Sequence, residues 1–195
     1  MRPHIAVVVF VLALASCDRP QPAAPTAPAP ETSALHIGGP FQLVDTQGRP
    51  VTEKALQGKP SAVFFGFTYC PEVCPTTLSE LTAALEALGP EADDLNVVFI
   101  SVDPERDTPA QLKLYLSNFD SRIKGFTGSV AQSDAAAKAF RVYHQKVPTD
   151  GGGYTVDHSS VMYLLDRQGR FVTPVRYGTP QDELIRRLRA LIRHG

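Results

Sequence analysis

One short segment, "SAVFFGFTYCPEVCPTTL" (residues 61–78), runs from a continuous apolar stretch through two cysteines into a helical pattern. The apolar stretch, 61–67, is typical of a strand buried on both faces. Leucines then recur at helical spacing through residues 75–88, which predicts a helix. The cysteine pair, Cys70 and Cys74, is therefore expected between a buried strand and the N-terminus of a helix.

Strands and helices follow one another along the rest of the chain. An N-terminal β-hairpin is predicted at 41–52 and a second buried strand at 95–103. The closing segment is amphipathic, with Thr179 as its expected N-cap. This order predicts an α/β fold in which helices flank a mixed central sheet. The other predicted elements are a helix at 108–119 with Thr108 as N-cap, a helix at 130–143, and two strands within 159–178.

Residues 144–158 fit neither periodic pattern. They contain three consecutive glycines followed by Tyr154 and His158. Loops of this length in compact domains are often functional or disordered. We therefore expect a mobile loop that leads His158 up to the next strand.

Length and composition limit the classes of function. The chain has 195 residues, 43% of them hydrophobic, which suffices for one buried core. Its 19 Lys and Arg residues nearly balance its 20 Asp and Glu residues, and the sequence contains no basic block. Because nucleic-acid binding needs a basic surface, nucleic acid is not an expected partner.

The N-terminus has the pattern of an export signal. An apolar run, 5–15, follows one Arg and precedes small residues and Cys17. The run is shorter than the roughly 20 apolar residues of a membrane-spanning helix. The motif LASC also resembles the lipobox of bacterial lipoproteins, whose cysteine becomes lipidated. We therefore predict a lipoprotein-type signal peptide at 1–16, a Pro/Ala-rich tether at 17–34 and a folded domain at 35–195.

Lipidation of Cys17 would hold the protein on a bacterial cell membrane, facing the periplasm or the exterior. A plain cleaved signal with an incidental cysteine and an uncleaved anchor are the alternatives. In each case Cys70 and Cys74 remain in an exported domain. Outside the cytosol a close cysteine pair is normally oxidised unless a reductant or a metal prevents it.

The cysteine spacing leaves a disulfide switch, a pair of metal ligands, or both open. A helix N-terminus favours thiolate over thiol, which serves a nucleophile and a metal ligand alike. If residues 70–74 are helical, the two Cα atoms lie about 6 Å apart, which suits either use. Thioredoxin-type oxidoreductases use the tighter Cys-x-x-Cys spacing, so a purely redox role is disfavoured. An inert structural disulfide is also disfavoured, because so short a loop constrains the unfolded chain little.

His158 stands just before the apolar strand that begins near residue 160. Thioredoxin-like proteins usually have a cis-proline in this place, which packs against their cysteines. The corresponding residues here are His158, Ser159 and Ser160. An imidazole in that position can supply a third ligand to two thiolates; a histidine with a purely structural role is the alternative.

Three blocks, "GFTYCPEVCPTTL", "SVDPERDTP" and "YTVDHSSVMYLLDRQG", resemble the signature blocks of the Sco/SenC family. Members of this family are copper-binding proteins of thioredoxin-like fold that assist assembly of cytochrome c oxidase. The resemblance runs from about residue 37 to 193 and implies a thioredoxin-like, copper-binding domain. It further implies that Cys70, Cys74 and His158 are the copper ligands.

The resemblance also implies the partners of the protein. These are the copper-bearing subunit of cytochrome c oxidase, other periplasmic copper chaperones or thiol reductants, and the membrane through the lipid anchor. A metallochaperone of this kind delivers copper to the dinuclear copper site and is not an enzyme. The competing hypothesis is a thiol-disulfide oxidoreductase that reduces the cysteines of that site. His158 separates the two, because dithiol exchange does not need it.

The donor set itself favours copper over zinc. Two thiolates and one imidazole suit Cu(I), and they hold Cu(II) if a further ligand joins. Zinc would normally take a fourth ligand, and neither His36 nor His144 is obviously placed to give one. Asp103, in the block "SVDPERDTP", is an outer-shell candidate, with ordinary turn chemistry as the alternative. For Asp157, next to His158, we favour a structural role.

Overall fold

The computed structural model describes residues 36–195. The signal peptide predicted at 1–16, the tether predicted at 17–34 and Cys17 lie outside the described residues. None of the helices within 36–195 is both long enough and apolar enough to cross a membrane.

A mixed sheet with helices packed against it forms the described part of the chain. In chain order the elements are β1 (Gln42–Asp45), β2 (Pro50–Thr52), β3 (Ser61–Gly66), α1 (Val73–Leu88), β4 (Asn96–Ser101), α2 (Pro109–Leu116), β5 (Ile123–Thr127), α3 (Val130–Ala139), β6 (His144–Pro148), β7 (Tyr154–His158), β8 (Val161–Leu165), β9 (Phe171–Arg176) and α4 (Gln181–His194). Short 3-10 turns at Glu53–Leu56 and Gly89–Asp94 complete the connections.

The sheet has seven strands in the order β2-β1-β5-β4-β3-β8-β9. The central strands β3, β4 and β5 are parallel to one another, and every residue of β3 and β4 is buried. The outer neighbours β1 and β8 run antiparallel to β5 and β3. Helix α1 packs against α4, α2 against β5 and α3 against β1. The α/β architecture and the N-terminal hairpin of β1 and β2 agree with the sequence prediction.

Two predicted helix caps have different outcomes. Thr108 caps α2 as predicted, with its hydroxyl accepting the Gln111 N–H at 3.2 Å. The prediction for Thr179 is wrong, because the residue before α4 is Pro180 and no side chain caps that end. The Thr179 hydroxyl instead donates to the Arg176 carbonyl oxygen at 2.7 Å, which closes the turn between β9 and α4.

Two helices end earlier than their apolar patterns indicate. The helix predicted at 130–143 ends at Ala139, because the chain turns at Arg141, which has a left-handed φ of 56°. The helix predicted at 108–119 ends at Leu116. Helix length was overestimated because apolar residues beyond each helix end also pack on the core.

The stretch 144–158 is a β-hairpin and not the long loop that the sequence predicted. Strands β6 and β7 pair along their whole length, with His144 opposite His158. The three glycines lie in the turn, where Gly152 and Gly153 have φ values of 79° and 89°. Glycine adopts such left-handed conformations without a steric penalty, so the glycine run accommodates the turn of the hairpin. Within 36–195 this hairpin forms a sheet of its own.

Strand β5 was absent from the sequence prediction. Its sequence, IKGFT, places a lysine and a glycine in the middle of the strand, which weakens the strand signal. Lys124 donates to Asn96 Oδ1 on the neighbouring strand β4 at 2.6 Å. Gly125 has no side chain because α2 lies directly above it, and a Cβ there would approach Leu116 Cδ1 to 2.5 Å.

Candidate metal centre

Two parts of the sequence that are distant from each other meet at one end of the central strand β3. Cys70 lies in the loop after β3, Cys74 in the first turn of α1, and His158 at the end of β7. The two sulfur atoms and a ring nitrogen of His158 all lie within 4.8 Å of one another. No other group of three or more such residues converges in this way within 36–195. The structure therefore brings together the three ligand candidates that the sequence singled out.

The cysteine segment is only partly helical, which corrects the premise of a helix over 70–74. Helix α1 begins at Val73, so Cys70 lies before the helix and Cys74 within it. The Cys74 N–H donates to Cys70 Sγ at 3.3 Å, which uses one of the free amides at the helix N-terminus. Both thiols are free, with Cys70 partly exposed and Cys74 buried.

The two thiols differ in acidity. A hydrogen bond from the Cys74 thiol, joined by hydrogen bonds from backbone N–H groups, outweighs burial and lowers the pKa of Cys70 to about 4. The neighbouring Cys70 thiolate and then burial raise the pKa of Cys74 above its usual value. At neutral pH the pair therefore holds one proton, which resides on the buried sulfur.

His158 is oriented as a metal ligand would be. Its Nδ1 lies 3.1 Å from the Ser159 carbonyl oxygen, and a carbonyl can only accept, so Nδ1 carries the proton. The lone pair is left on Nε2, which lies 3.5 Å from Cys74 Sγ. The ring is also fixed by edge contacts with Phe64 and Phe67, at centroid distances of 6.3 and 5.7 Å.

A glycine beneath the cysteines makes room for the buried thiol. Gly66 ends β3, and a Cβ at this position would lie 2.7 Å from Cys74 Sγ. The same atom would lie 2.8 Å from a ring carbon of Phe99. Any side chain at Gly66 would therefore displace the sulfur or the core ring.

The segment DPERD (residues 103–107), which follows β4, anchors the loop that carries Cys70. The Asp107 carboxylate is buried and accepts hydrogen bonds from the Thr68 N–H at 3.0 Å, the Thr68 hydroxyl at 2.6 Å and the Ser101 hydroxyl at 2.6 Å. Burial raises the pKa of Asp107 above its usual value. Thr68 precedes Cys70 by two residues, so this carboxylate anchors the backbone that carries the exposed thiol.

Asp103 takes part in a separate network. Its carboxylate is fully buried, pairs with Arg106 and accepts the Tyr154 hydroxyl at 2.8 Å. These contacts lead to the hairpin that carries His158 and do not touch a ligand atom. Sequence reasoning named Asp103 and Tyr154 without connecting them, and it missed Arg106, Asp107 and Gly66. A signal was present in the block DPERD, where an arginine stands between two aspartates four positions apart.

The remaining candidates do not belong to the group of three converging ligand atoms. His144 Nε2 lies 3.4 Å from Asp134 Oδ1 on α3. His36 lines a cleft of about 370 Å³ at the start of the described chain. Asp157 is exposed and outside this group, and the structural role expected for it stays a prediction.

Comparison with known proteins identifies what this chain resembles. The family model SCO1/SenC matches residues 29–193. The mitochondrial SCO1 homolog 1 of Arabidopsis thaliana is 43% identical over 144 residues, a match that covers 73% of this chain and 43% of the plant protein. The chain thus spans less than half the length of that relative. The family resemblance inferred from the three sequence blocks is confirmed.

Solved structures share the fold. The copper-bound structure of ScoI from Bradyrhizobium japonicum is 50% identical, has a TM-score of 0.75, and matches over 80% of this chain and 99% of its own. A structure of BsSco, described as having a disulfide switch and as a member of the Sco family of cytochrome c oxidase assembly proteins, is 26% identical with a TM-score of 0.64, over 83% of this chain and 96% of its own. The fold is thioredoxin-like, as the sequence predicted.

Proposed function

Because the chain belongs to the SCO1/SenC family, whose model matches residues 29–193, we propose that it is a copper metallochaperone. One copper ion is its cargo, held by Cys70, Cys74 and His158. The observation that carries the proposal is the convergence of these three side chains, whose ligand atoms lie within 4.8 Å of one another.

The chemistry of the donors supports Cu(I) as the form bound most tightly. Two thiolate sulfurs and an imidazole nitrogen form a soft, three-coordinate set, and Cu(II) is held when a water or another ligand joins. Cys70 is a thiolate at neutral pH and His158 presents the lone pair of Nε2. Only Cys74 has to lose its proton, so copper binding should release about one proton per ion.

We further propose that the recipient is the copper-bearing subunit of cytochrome c oxidase, at its dinuclear copper site. The support is the relative BsSco, described as a member of a family of cytochrome c oxidase assembly proteins. Cys70 and His158 are partly exposed, so an incoming ligand of another protein has access to copper held there. Other periplasmic copper chaperones or thiol reductants would load or reduce the site.

The place of action is proposed from the sequence. The export-signal pattern at 1–16, the motif ending at Cys17 and the Pro/Ala-rich residues 17–34 support a lipoprotein on a bacterial cell membrane, facing the periplasm or the exterior. Mass spectrometry of the N-terminal peptide from purified membranes tests this, with Cys17→Ser as the unlipidated control. An unmodified Cys17 would contradict the proposal.

Reduction of the oxidase cysteines is the second candidate function. It is favoured by the low pKa of Cys70, which makes it a thiolate nucleophile at neutral pH, and by the disulfide switch described for BsSco. This activity requires Cys70 and Cys74 but not His158. The role of His158 therefore decides between the two functions.

The deciding experiment is an anaerobic Cu(I) titration against a competing chelator. The full chain is used in detergent with Cys17→Ser, which removes the only cysteine outside the pair. We expect one tight equivalent of Cu(I) and a loss of affinity of about tenfold or more in His158→Ala, since one of three ligands is lost. His36→Ala is the matched control, because His36 lines a cleft that includes none of the three candidate ligands.

Two results would contradict the chaperone. One is the absence of tight Cu(I) binding in the parent protein. The other is an affinity that is equal in the parent and in His158→Ala. Either result, together with retained reduction of a disulfide substrate by His158→Ala, would favour the reductase.

A further inference from the structure

Arg106 is enclosed by aromatic rings that belong to both halves of the candidate metal centre. Its guanidinium carbon lies 3.9 Å from the ring centroid of Tyr154 and 4.8 Å from that of Tyr69. The ring of Phe67 is 5.8 Å away. Tyr69 immediately precedes Cys70, whereas Tyr154 begins the strand that ends at His158. One side chain thus touches both the cysteine segment and the histidine strand.

Polar contacts fix the same guanidinium in place. Its Nε pairs with the buried Asp103 carboxylate, and its Nη1 donates to the Tyr154 carbonyl oxygen at 2.8 Å. The Tyr154 hydroxyl returns to Asp103 at 2.8 Å, which closes a ring of contacts among the three residues. A planar group with several fixed donors satisfies these contacts together, which the single ammonium of a lysine does not.

The hairpin of β6 and β7 needs such an anchor. Within 36–195 its two strands pair with each other and not with the seven-stranded sheet. Besides the packing of the buried Val156, the ring contacts of His158 and the short link to β8, its position relative to the cysteines depends on the contacts of Arg106 and on an ion pair between Lys146 and Glu105. Of these two, the Lys146 pair is exposed and contributes little.

We propose that Arg106 is a positioning residue that holds the His158 hairpin against the cysteine segment, so that His158 Nε2 stays within ligand distance of the two sulfurs. The proposal rests on the copper-binding role proposed above, to which it adds a residue outside the ligand set. Arg106 acts through Tyr69 and Tyr154 and does not bind the metal.

The first test needs no metal. Hydrogen–deuterium exchange of the reduced full chain, carrying Cys17→Ser, is compared with that of Arg106→Met and Arg106→Lys. We expect the hydrogen-bonded amides of residues 144–158 to exchange about tenfold faster in both variants, because the hairpin opens locally more often. Amides of the central strands should exchange at the parent rate.

Arg122→Met is the matched control. Arg122 resembles Arg106 in its contacts, because it pairs with Asp120 and donates to the Gly89 carbonyl oxygen. It lies beside the C-terminal end of α1, whereas Cys74 is in the first turn of that helix. Its loss should leave hairpin exchange unchanged. Equal hairpin exchange in Arg106→Met and the parent would overturn the proposal. Equal acceleration of hairpin exchange in Arg106→Met and Arg122→Met would overturn it too.

The second test uses Cu(I) alone as the ligand. The chelator titration is run on the parent, Arg106→Met, His158→Ala and the double variant. If Arg106 positions His158, the affinity lost through His158→Ala should shrink by about tenfold in the Arg106→Met background. A His158 effect of the same size in both backgrounds would overturn the positioning role. If His158→Ala binds Cu(I) as tightly as the parent, the proposed function is contradicted. The hydrogen–deuterium exchange of the hairpin then still decides the role of Arg106.

A milder variant protects the test against misfolding. Tyr69 is 58% exposed, so Tyr69→Leu removes the outer ring of the stack without opening the core. It should accelerate hairpin exchange in the same direction as Arg106→Met, by a smaller factor. No acceleration in Tyr69→Leu would show that the cysteine segment is not connected to the hairpin through this stack.

Discussion

At the scale of single residues, the cysteine pair is unequal by construction. Cys70 lies in a loop that is partly open to solvent, where it accepts hydrogen bonds from the Cys74 thiol and the Cys74 backbone amide. Cys74 has no exposed surface and shares its space with the aromatic core. The shared proton stays on the buried sulfur because the neighbouring Cys70 thiolate, and then burial, disfavour a second charge there.

This inequality predicts selective alkylation of the reduced, metal-free protein. With a pKa of about 4, Cys70 is a thiolate above about pH 5, so its iodoacetamide rate should be nearly constant between about pH 6 and 8. The reaction rate of an ordinary cysteine rises about tenfold with each unit of pH increase until the pH reaches its own pKa. Peptide mass spectrometry measures both sites, and Cys74 should react only after denaturation. A tenfold rise per unit at Cys70 would contradict the assigned acidity.

Close packing at Gly66 gives a second prediction at the scale of single residues. In Gly66→Ala the new methyl group would lie 2.7 Å from Cys74 Sγ, so the sulfur or Phe99 must move. We expect a loss of about 1–3 kcal/mol in the free energy of unfolding, measured in urea, and weaker Cu(I) binding. Gly151→Ala is the control, because a Cβ there has nothing within 4 Å. Equal stability of the two variants would contradict the close packing beneath the thiol.

At the scale of elements, the periodic segments could be predicted and the irregular ones could not. The apolar run of β3 and the leucines of α1 announce a buried strand and a helix, because both patterns reflect burial directly. Strand β5 contains Lys124, which donates to Asn96, and Gly125, which lies against α2. Neither tertiary contact can be read from the sequence of the strand. The hairpin of β6 and β7 was read as a loop because Val156 is the one fully buried residue in its two strands and its turn is rich in glycine.

The turn of that hairpin gives a prediction for the element as a whole. Gly152 has a φ of 79°, which a residue with a Cβ adopts at a cost, whereas neighbouring Gly151 has no such conformation. A Cβ at either position meets no atom within 4 Å, so backbone strain is the only difference. Gly152→Ala should destabilise the hairpin by about 1 kcal/mol.

Hydrogen–deuterium exchange of residues 144–158 measures this effect, with Gly151→Ala as the matched control. Because the hairpin carries His158, the affinity for Cu(I) should fall in the same variant. Hairpin exchange that is identical in the two alanine variants would contradict a role for the glycine conformation in the turn.

At the scale of the whole molecule, the candidate ligands could be predicted from the sequence more readily than the residues that hold them in place. The three candidate ligands stand in recognisable blocks, so they could be named from the chain alone. Their support could not, because Arg106 reaches Tyr154 across 48 positions and Thr68 reaches Asp107 across 39. Such contacts depend on the tertiary arrangement and leave no local periodic pattern.

Copper should stabilise the entire domain if the three segments bind it together. A ligand that binds only the folded state adds about 2.7 kcal/mol of stability when its free concentration is 100 times its Kd. We expect the Tm of the reduced protein to rise on adding Cu(I) buffered by a chelator, and to return when copper is removed. In His158→Ala the rise should be smaller at the same free Cu(I). A Tm that does not respond to copper in the parent would contradict a site built across the fold.

The burial of Cys74 beneath the partly open Cys70 sets an order for any exchange with another protein. An external thiolate reaches the Cys70 side first, whether it attacks copper or a disulfide between Cys70 and Cys74. If copper is handed over as proposed, the bond to Cys74 would break last, because Cys74 has no exposed surface. A handover in this direction keeps the ion coordinated at every stage, so release into solvent is avoided while the two proteins are in contact.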